Sequence, residues 1–268
     1  MIPIRCITEW GTQAPWVENK FIEQDLIICR ALCSIYQDDF LSSHLAFRGG
    51  TALGKLYLKP QPRYSEDLDL VQVKAEPIKE TIDHLREALS WLGEPVVKQK
   101  KNNNTLVFRV QPTDSEAGEI HLKVEINCKE HFNVLPMVRV PFSVDSSWYR
   151  DSCEVLTYEL AELTGTKLRA VYQRRKGRDL FDLWIILTRV PELDKEKVMQ
   201  CYERYLGFTA SRMPTYKEFV VNMEEKIQDE EFLADTEMIL GTDVEYAAAE
   251  AWVKVHDELV VRLMKGTL

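Results

Sequence analysis

The stretch from Arg48 to Val73 constrains the fold of this chain more than any other. Its second half contains EDLDLV, in which Asp67 and Asp69 alternate with leucines in the period-two pattern of a half-buried β-strand. Because alternate side chains of a strand share a face, both carboxylates project from one side, about 7 Å apart. Two like charges so placed repel, and a divalent cation between them removes that repulsion. The pattern therefore predicts a strand that presents a metal site.

A Gly-Gly pair lies upstream of this strand. Gly49 and Gly50 follow the apolar segment 45–47 and precede a short predicted helix. Glycine lets the backbone turn tightly and approach a ligand closely, with free N–H groups facing it. The order of the two motifs, first the glycine turn and then the paired carboxylates, is typical of a site that binds a nucleoside triphosphate with a metal ion.

Residues 120–127 read IHLKVEIN and predict a further strand. Its apolar side chains take one face, while Lys123 and Glu125 share the other. If this strand neighbours the acidic strand, Glu125 becomes the third carboxylate of the metal site. The alternative is that Glu125 is a solvated residue paired with Lys123.

The remaining polar residues near the glycine turn have weaker patterns. Lys55 and Arg63 flank the predicted triphosphate loop, where each is a candidate phosphate contact or an ordinary solvated charge. Pro60 and Pro62 exclude a continuous helix here, so we expect a loop from about residue 59 to residue 64. Ser65 lies two residues before Asp67, where its hydroxyl can bond a phosphate or order the metal site.

Length and composition place the chain among folded proteins. It has 268 residues, of which 45% are hydrophobic, enough for one large or two modest domains. The net charge of −9 gives no global footprint for nucleic acid, so any such contact is local. The six cysteines are scattered, as expected for thiols in a reducing cytoplasm. No membrane span or signal peptide is recognisable, and we expect a cytoplasmic protein without a membrane partner.

The periodicity of the chain changes about halfway along. Helices are predicted near 17–40 and 77–92, and strands near 96–101, 105–110 and 120–127, which is an α+β pattern. Residues 131–153 are interpreted as a crossing between domains, and from residue 154 onward the periodicity is helical. We therefore expect a mixed-sheet α+β domain over 1–150, after an irregular lead-in, and an all-helical domain over 151–268.

A basic block lies in the predicted helical domain. Residues 167–178 contain six cations and no acid, a local positive field suited to a triphosphate or an RNA backbone. Its members include Lys167, Arg174, Arg175, Lys176 and Arg178. The alternative is a solvated helix end, where cations favour the helix dipole. That alternative suits the later members better than Lys167, which lies within a helix.

Four blocks of this sequence together resemble the AbiEii family of nucleotidyltransferase-like toxins, which includes toxins of MenAT-type toxin–antitoxin pairs. They are Gly49-Gly50-Thr51-Ala52-Leu53, Ser65-Glu66-Asp67-Leu68-Asp69-Leu70, Thr166-Lys167-Leu168-Arg169-Ala170 and Arg178-Asp179-Leu180-Phe181-Asp182-Leu183. The resemblance spans roughly residues 45–187 and implies a DNA polymerase β-like nucleotidyltransferase fold with Mg²⁺ or Mn²⁺ as cofactor.

The resemblance also implies roles for individual residues. It implies that Gly49, Gly50, Thr51, Ser65 and Lys167 contact the nucleoside triphosphate. It implies that Asp67 and Asp69 hold the metal ion and that an aspartate 15 positions after Lys167 is essential, which is Asp182. Asp179 lies one helical turn earlier and can share that face, so the pattern alone does not separate the two.

For the reaction, the resemblance implies nucleotidyl transfer to an RNA acceptor, in the first place the 3′ end of tRNA, with blocked translation as the result. It further implies a cognate antitoxin encoded by an adjacent gene. Two alternatives stay open at this point. One is a nucleotidyltransferase that acts on a protein or small-molecule hydroxyl, and the other is a non-catalytic module that binds a nucleotide or the antitoxin.

Overall fold

The structure is a computed structural model that describes residues 2–14, 16–210, 212–241 and 244–267. For residues 265–267 it describes the backbone only. The chain divides into two compact units, residues 1–158 and residues 159–268. The first unit is built on a mixed β-sheet, and the regular elements described in the second are helical. This confirms the α+β class predicted from the sequence.

The first unit begins with three helices, after which strands and helices follow one another along the chain. Its elements are α1 (Ile4–Trp10), α2 (Asn19–Gln37), α3 (Leu41–His44), β1 (Leu45–Arg48), α4 (Gly49–Ala52), β2 (Asp67–Gln72), α5 (Ile78–Ala88), β3 (Val96–Lys100), β4 (Asn103–Val110), β5 (Ile120–Asn127), β6 (Val138–Asp145) and β7 (Arg150–Thr157). A π-helical turn, Leu53–Tyr57, continues α4, and the predicted loop follows it. Short 3₁₀ turns cover Ser90–Leu92 and Ser115–Ala117.

The seven strands form one sheet in the order β3-β4-β5-β2-β1-β7-β6. Strand β2 pairs antiparallel with β1 and parallel with β5, so the acidic strand lies in the middle of the sheet. The alternating apolar side chains of β2, β4 and β5 form the core on one face, and they are fully buried. They are Leu68, Leu70, Leu106, Phe108, Leu122, Val124 and Ile126. The intervening residues of the same strands, most of which are polar, project from the opposite face.

The segment predicted as an interdomain crossing contains two strands instead. β6 and β7 pair antiparallel, and β7 also pairs with β1 through Phe47 and Thr157. Pro141 lies in β6, which is the edge strand, where a residue without an N–H is tolerated. The division of the chain therefore falls after Tyr158 rather than at residue 150. Near the N-terminus, α1 replaces part of the irregular lead-in that we expected.

The second unit contains α6 (Leu160–Gln173), α7 (Gly177–Arg189), α8 (Lys195–Thr209), α9 (Tyr216–Lys226), α10 (Glu230–Ala234), α11 (Ala248–Glu258) and a 3₁₀ segment, Val260–Thr267. Their apolar stripes meet in a core around Phe181 and Phe219. Thr215 begins α9 with a capping box to Glu218, which satisfies free backbone N–H groups. Among the residues described in either unit, no helix is long and apolar enough to cross a membrane.

Candidate active site

Three acidic residues of neighbouring strands share the polar face of the sheet. Asp67 and Asp69 begin β2, and Asp69 lies directly beside Glu125 in the parallel pairing of β2 with β5. The same register places Lys123 beside Asp67. The condition on which the role of Glu125 depended, that the two strands are neighbours, is therefore met, and Glu125 shares a face with both aspartates.

Asp67 lies in an environment that disfavours its charged form. Burial is the main cause that raises the pKa of Asp67, to about 7; Lys123 opposes the shift, while Glu66, Asp69 and Glu125 add to it. Its Oδ1 atom is buried and accepts no hydrogen bond from any described residue. The Lys123 Nζ atom lies 3.6 Å from Oδ1, which is close enough for an ion pair but too far for a hydrogen bond.

The chemistry of this donor set fits a hard divalent cation. Carboxylate oxygens are the ligands that Mg²⁺ and Mn²⁺ prefer, and Asp67 Oδ1 is a buried carboxylate oxygen that accepts no hydrogen bond and can therefore coordinate such a cation. Among the described residues, no three His, Cys, Asp or Glu side chains already converge as a metal cluster. Glu125 instead accepts a hydrogen bond from Asn103 Nδ2 at 3.3 Å. Asp67 and Asp69 are therefore the main candidate ligands for the cation, and Glu125 is the neighbouring carboxylate that can become a third ligand.

The glycine turn lies against the second aspartate. Arg48, the last residue of β1, pairs with Asp69, so Gly49 follows at the same level of the sheet. Gly49 has φ of +82°, and a Cβ atom there would overlap the Asp69 carboxylate. A Cβ on Gly50 would overlap the guanidinium of Arg63. A Cβ at either position would force a neighbouring side chain to move, and at Gly49 the positive φ additionally favours glycine.

Hydrogen bonds tie the other predicted ligands of the triphosphate to this turn. The Thr51 hydroxyl donates to the Asp67 carbonyl at 2.6 Å and fixes α4 to the start of β2. Arg63 is buried, and its Nη1 atom donates to the Ser65 hydroxyl at 2.8 Å and to the Tyr64 carbonyl at 2.9 Å. Gly50, Arg63 and Ser65 therefore form one contiguous group beside the carboxylates.

Lys55, for which the sequence left a phosphate contact and a solvated charge open, lies in the interior. Its side chain is 5% exposed, and Nζ donates to Asp25 Oδ2 at 2.6 Å. Burial acts to lower the pKa of Lys55, but Asp25 and Cys29 raise it above its ordinary value. The periodicity of the sequence could not show this, because the buried acid comes from α2, 30 residues away. Lys55 is thus a buried structural cation rather than one that flanks the loop.

Asp25 connects four parts of the first unit. Besides Lys55, it accepts hydrogen bonds from Trp10 Nε1 at 2.8 Å and Gln61 Nε2 at 3.3 Å. These partners lie in α1, in the π-helical turn and in the loop before Ser65. Asp25 therefore anchors the π-helical turn that follows the glycine turn and the loop that contains Arg63.

In the second unit, α6 and α7 bring a lysine and two aspartates together. Lys167 Nζ lies 2.6 Å from Asp182 Oδ2 and 3.1 Å from Asp179 Oδ1. Asp179 is fully buried and also accepts two hydrogen bonds from Arg174, at 2.5 and 2.7 Å. Burial acts to raise the pKa of Asp179, but Lys167 and Arg174 bring it below its ordinary value. Asp179 thus orients two cations, while Asp182 holds Lys167.

The rest of the predicted positive field is paired with acids from later helices. Arg175 bonds Asp229 at 2.6 Å, and Lys176 and Arg178 lie 3.5 and 3.9 Å from Asp235. The sequence block contains no acid, but the fold supplies these aspartates from the segment around α10. The positive field that we expected is therefore partly neutralised within the unit.

Two residues lie where their sequence pattern does not place them. The alternation in β5 indicates Lys123 only as a partner for Glu125, whereas the register places it beside Asp67. Asp25 is the second, and the signal that could have found it is an acid among the apolar residues of α2, which indicates a buried polar contact.

Comparison with solved structures supports the fold. JHP933 from Helicobacter pylori superimposes with a TM-score of 0.57 at 18% identity, over 94% of this chain and 94% of that chain. MenT4, a nucleotidyltransferase toxin from Mycobacterium tuberculosis H37Rv, gives 0.57 at 16% identity over 99% of each chain. At these identities the likeness concerns the fold alone. No curated protein matches the sequence.

The sequence profile of one protein family covers most of the chain. It is described as the nucleotidyl transferase AbiEii toxin of type IV toxin–antitoxin systems, and it matches residues 30–255. The matched range includes the glycine turn, the carboxylates of the sheet and the Lys167 cluster described above. The chain therefore belongs to the AbiEii family of nucleotidyltransferase toxins and is itself a nucleotidyltransferase.

Proposed function

We propose that this enzyme transfers a nucleoside monophosphate from an NTP to a hydroxyl of an RNA acceptor, in the first place the 3′ end of tRNA, with release of pyrophosphate, and thereby blocks translation. The observation that carries this proposal is the register of β2 and β5, which gathers Asp67, Asp69 and Glu125 beside Gly49. A carboxylate group next to a tight glycine turn is what binding of a metal-bound triphosphate requires.

The residues of the first unit have distinct roles in this proposal. Asp67 and Asp69 hold Mg²⁺ or Mn²⁺, with Glu125 as the third carboxylate. The metal, when bound, neutralises charge that develops on the phosphate oxygens. Gly49 and Gly50 admit the triphosphate close to the backbone. Their neighbours Thr51, Ser65 and Arg63 keep that turn in place, and the Arg63 guanidinium supplies positive charge beside it.

In the second unit, we assign Lys167 to the phosphates and Asp182 to its orientation. The ion pair between them at 2.6 Å supports this assignment, since a held ammonium loses less freedom when it binds an anion. Asp179 keeps Lys167 and Arg174 in place from the buried side. Arg174, half exposed, is the member of the basic block that we retain as a phosphate or RNA contact.

The family also supports a biological setting. A toxin of a toxin–antitoxin system has a cognate antitoxin, and we propose that an adjacent gene encodes it. The substrates in this proposal, NTP and tRNA, are cytoplasmic molecules, so we assign the enzyme to the cytoplasm.

The test is a transfer assay with purified protein, Mg²⁺, each of the four α-³²P-labelled NTPs and total tRNA. We expect label in the RNA with the wild type and none with Asp67→Ala. Asp39→Ala removes an exposed acid of the same unit and should retain transfer. Folded wild-type protein that binds NTP but labels only protein or small molecules would contradict an RNA acceptor. Folded protein that binds NTP without any transfer would indicate a non-catalytic module.

A further inference from the structure

The polar face of the sheet continues from the carboxylates to the edge strand β3. The register gives one cross-strand row that contains Asp69 of β2, Glu125 of β5, Thr105 of β4 and Lys98 of β3. Residues that pair in this way project on the same face. The row is three strand spacings wide, which is about 14 Å.

The outer part of this face is open and positively charged. Lys98 and Lys100 of β3 and Arg109 of β4 are exposed and lie on the same face as the carboxylates. Within the described part of the chain, none of the three makes an ion pair or a hydrogen bond through its side chain. The cations of the 174–178 segment, in contrast, are paired with aspartates. In a chain of net charge −9, these unpaired cations are therefore a local feature.

We propose that this face, defined by Lys98, Lys100 and Arg109, binds the backbone of the RNA acceptor and leads its end toward Asp67 and Asp69. That the RNA end points toward the two aspartates rests on the proposed function. Lys98 lies in the row of Asp69, Lys100 lies two residues farther along β3, and Arg109 lies four residues beyond Thr105 on β4, so the three cations are spread along the edge of the sheet. Proteins that bind single strands follow the backbone with a positively charged surface. At 3.4 Å per nucleotide, 14 Å corresponds to about four nucleotides of stacked strand.

The chemistry of the face also predicts how the RNA is recognised. The rows nearest the carboxylates contain Thr105, Val107 and Lys123 but no aromatic side chain on which a base could stack. Binding should therefore depend on phosphates, tolerate different sequences and weaken strongly with salt. An acidic peptide could use the same cations, but it has no hydroxyl at a free end to deliver to the carboxylates.

The test compares two triple variants with equal changes of net charge. One is Lys98→Glu/Lys100→Glu/Arg109→Glu, and the control is Arg5→Glu/Arg86→Glu/Lys217→Glu, whose sites are exposed on α1, α5 and α9. Binding of a fluorescein-labelled 12-nucleotide single-stranded RNA is measured by anisotropy without NTP, from 50 to 200 mM salt. We expect at least about a tenfold rise in Kd for the first variant alone. The slope of log K against log salt should fall by about two, since each phosphate contact to a single strand contributes about 0.7.

The transfer assay separates this proposal from the proposed function. If the wild type labels RNA, the first variant should raise KM for RNA and leave kcat and KM for NTP unchanged. RNA binding that is lost in the variant, with no transfer by the wild type, supports the face and contradicts the transferase proposal. Equal RNA binding by wild type and variant overturns the face proposal, whatever the transfer result. Wild-type protein that binds labelled polyglutamate and does not bind the RNA would also overturn the face proposal.

Discussion

The Asp67 side chain makes stability depend on pH in an unusual direction. Because burial and nearby acids raise its pKa to about 7, the folded chain holds a proton between about pH 4 and pH 7 that the unfolded chain releases. Stability must therefore fall as pH rises across that window. We expect Asp67→Asn to raise the melting temperature at about pH 8 and to leave it nearly unchanged at about pH 4. Asp39→Asn, changed at the surface, should show no such difference between the two pH values.

The buried ion pair between Asp25 and Lys55 contributes to the stability of the first unit, independently of enzyme activity. Asp25→Asn leaves a buried ammonium without its carboxylate, and we expect unfolding in urea to show a loss of about 3–5 kcal/mol. Lys55→Met in the same chain removes that ammonium, so the double variant should recover much of the loss. A double variant less stable than Asp25→Asn alone would contradict this account.

At the scale of elements, the turn between β1 and α4 has a matched control in the chain. Gly49 and Gly93 both have positive φ, but a Cβ on Gly93 would meet no atom within 4 Å. Both positions lie at positive φ, where alanine costs about 1–3 kcal/mol for the backbone alone. Gly49→Ala must also displace the Asp69 carboxylate. We therefore expect Gly49→Ala to lower stability further than Gly93→Ala and to abolish transfer, which the Gly93 variant should retain. Equal effects would show that Asp69 moves without consequence.

The sequence was sufficient for the elements that contain the acids, because alternation in 67–72 and 120–127 is a local signal. It was insufficient where the partner is distant in sequence. The parallel register that places Lys123 beside Asp67 is fixed by packing of the whole sheet. The same is true of Asp25 beneath Lys55 and of Asp229 and Asp235 beside the basic block. Strands β6 and β7 were missed because the two prolines and the polar turns of residues 131–153 resemble a linker.

At the scale of the whole molecule, the position of β7 predicts which fragments fold. β7 lies between β1 and the edge strand β6, so a chain that ends at residue 150 lacks this internal strand and leaves β6 unpaired. A fragment of residues 1–158 contains all seven strands. We expect residues 1–158 to give a β-rich circular dichroism spectrum and dispersed amide resonances, and residues 1–150 to aggregate. A folded, monomeric 1–150 fragment would contradict the role assigned to β7.

The pairing of β1 with β7 also has a consequence for synthesis of the protein. The Thr157 hydroxyl bonds the Phe47 carbonyl across 110 residues of chain. At 5–20 residues per second, a ribosome needs about 5–20 s to make that interval. During this time one edge of β1, the strand that leads into the glycine turn, has no neighbour. The nascent enzyme is therefore inactive and prone to aggregation until its second half has begun to emerge, and a chaperone has several seconds in which to bind it.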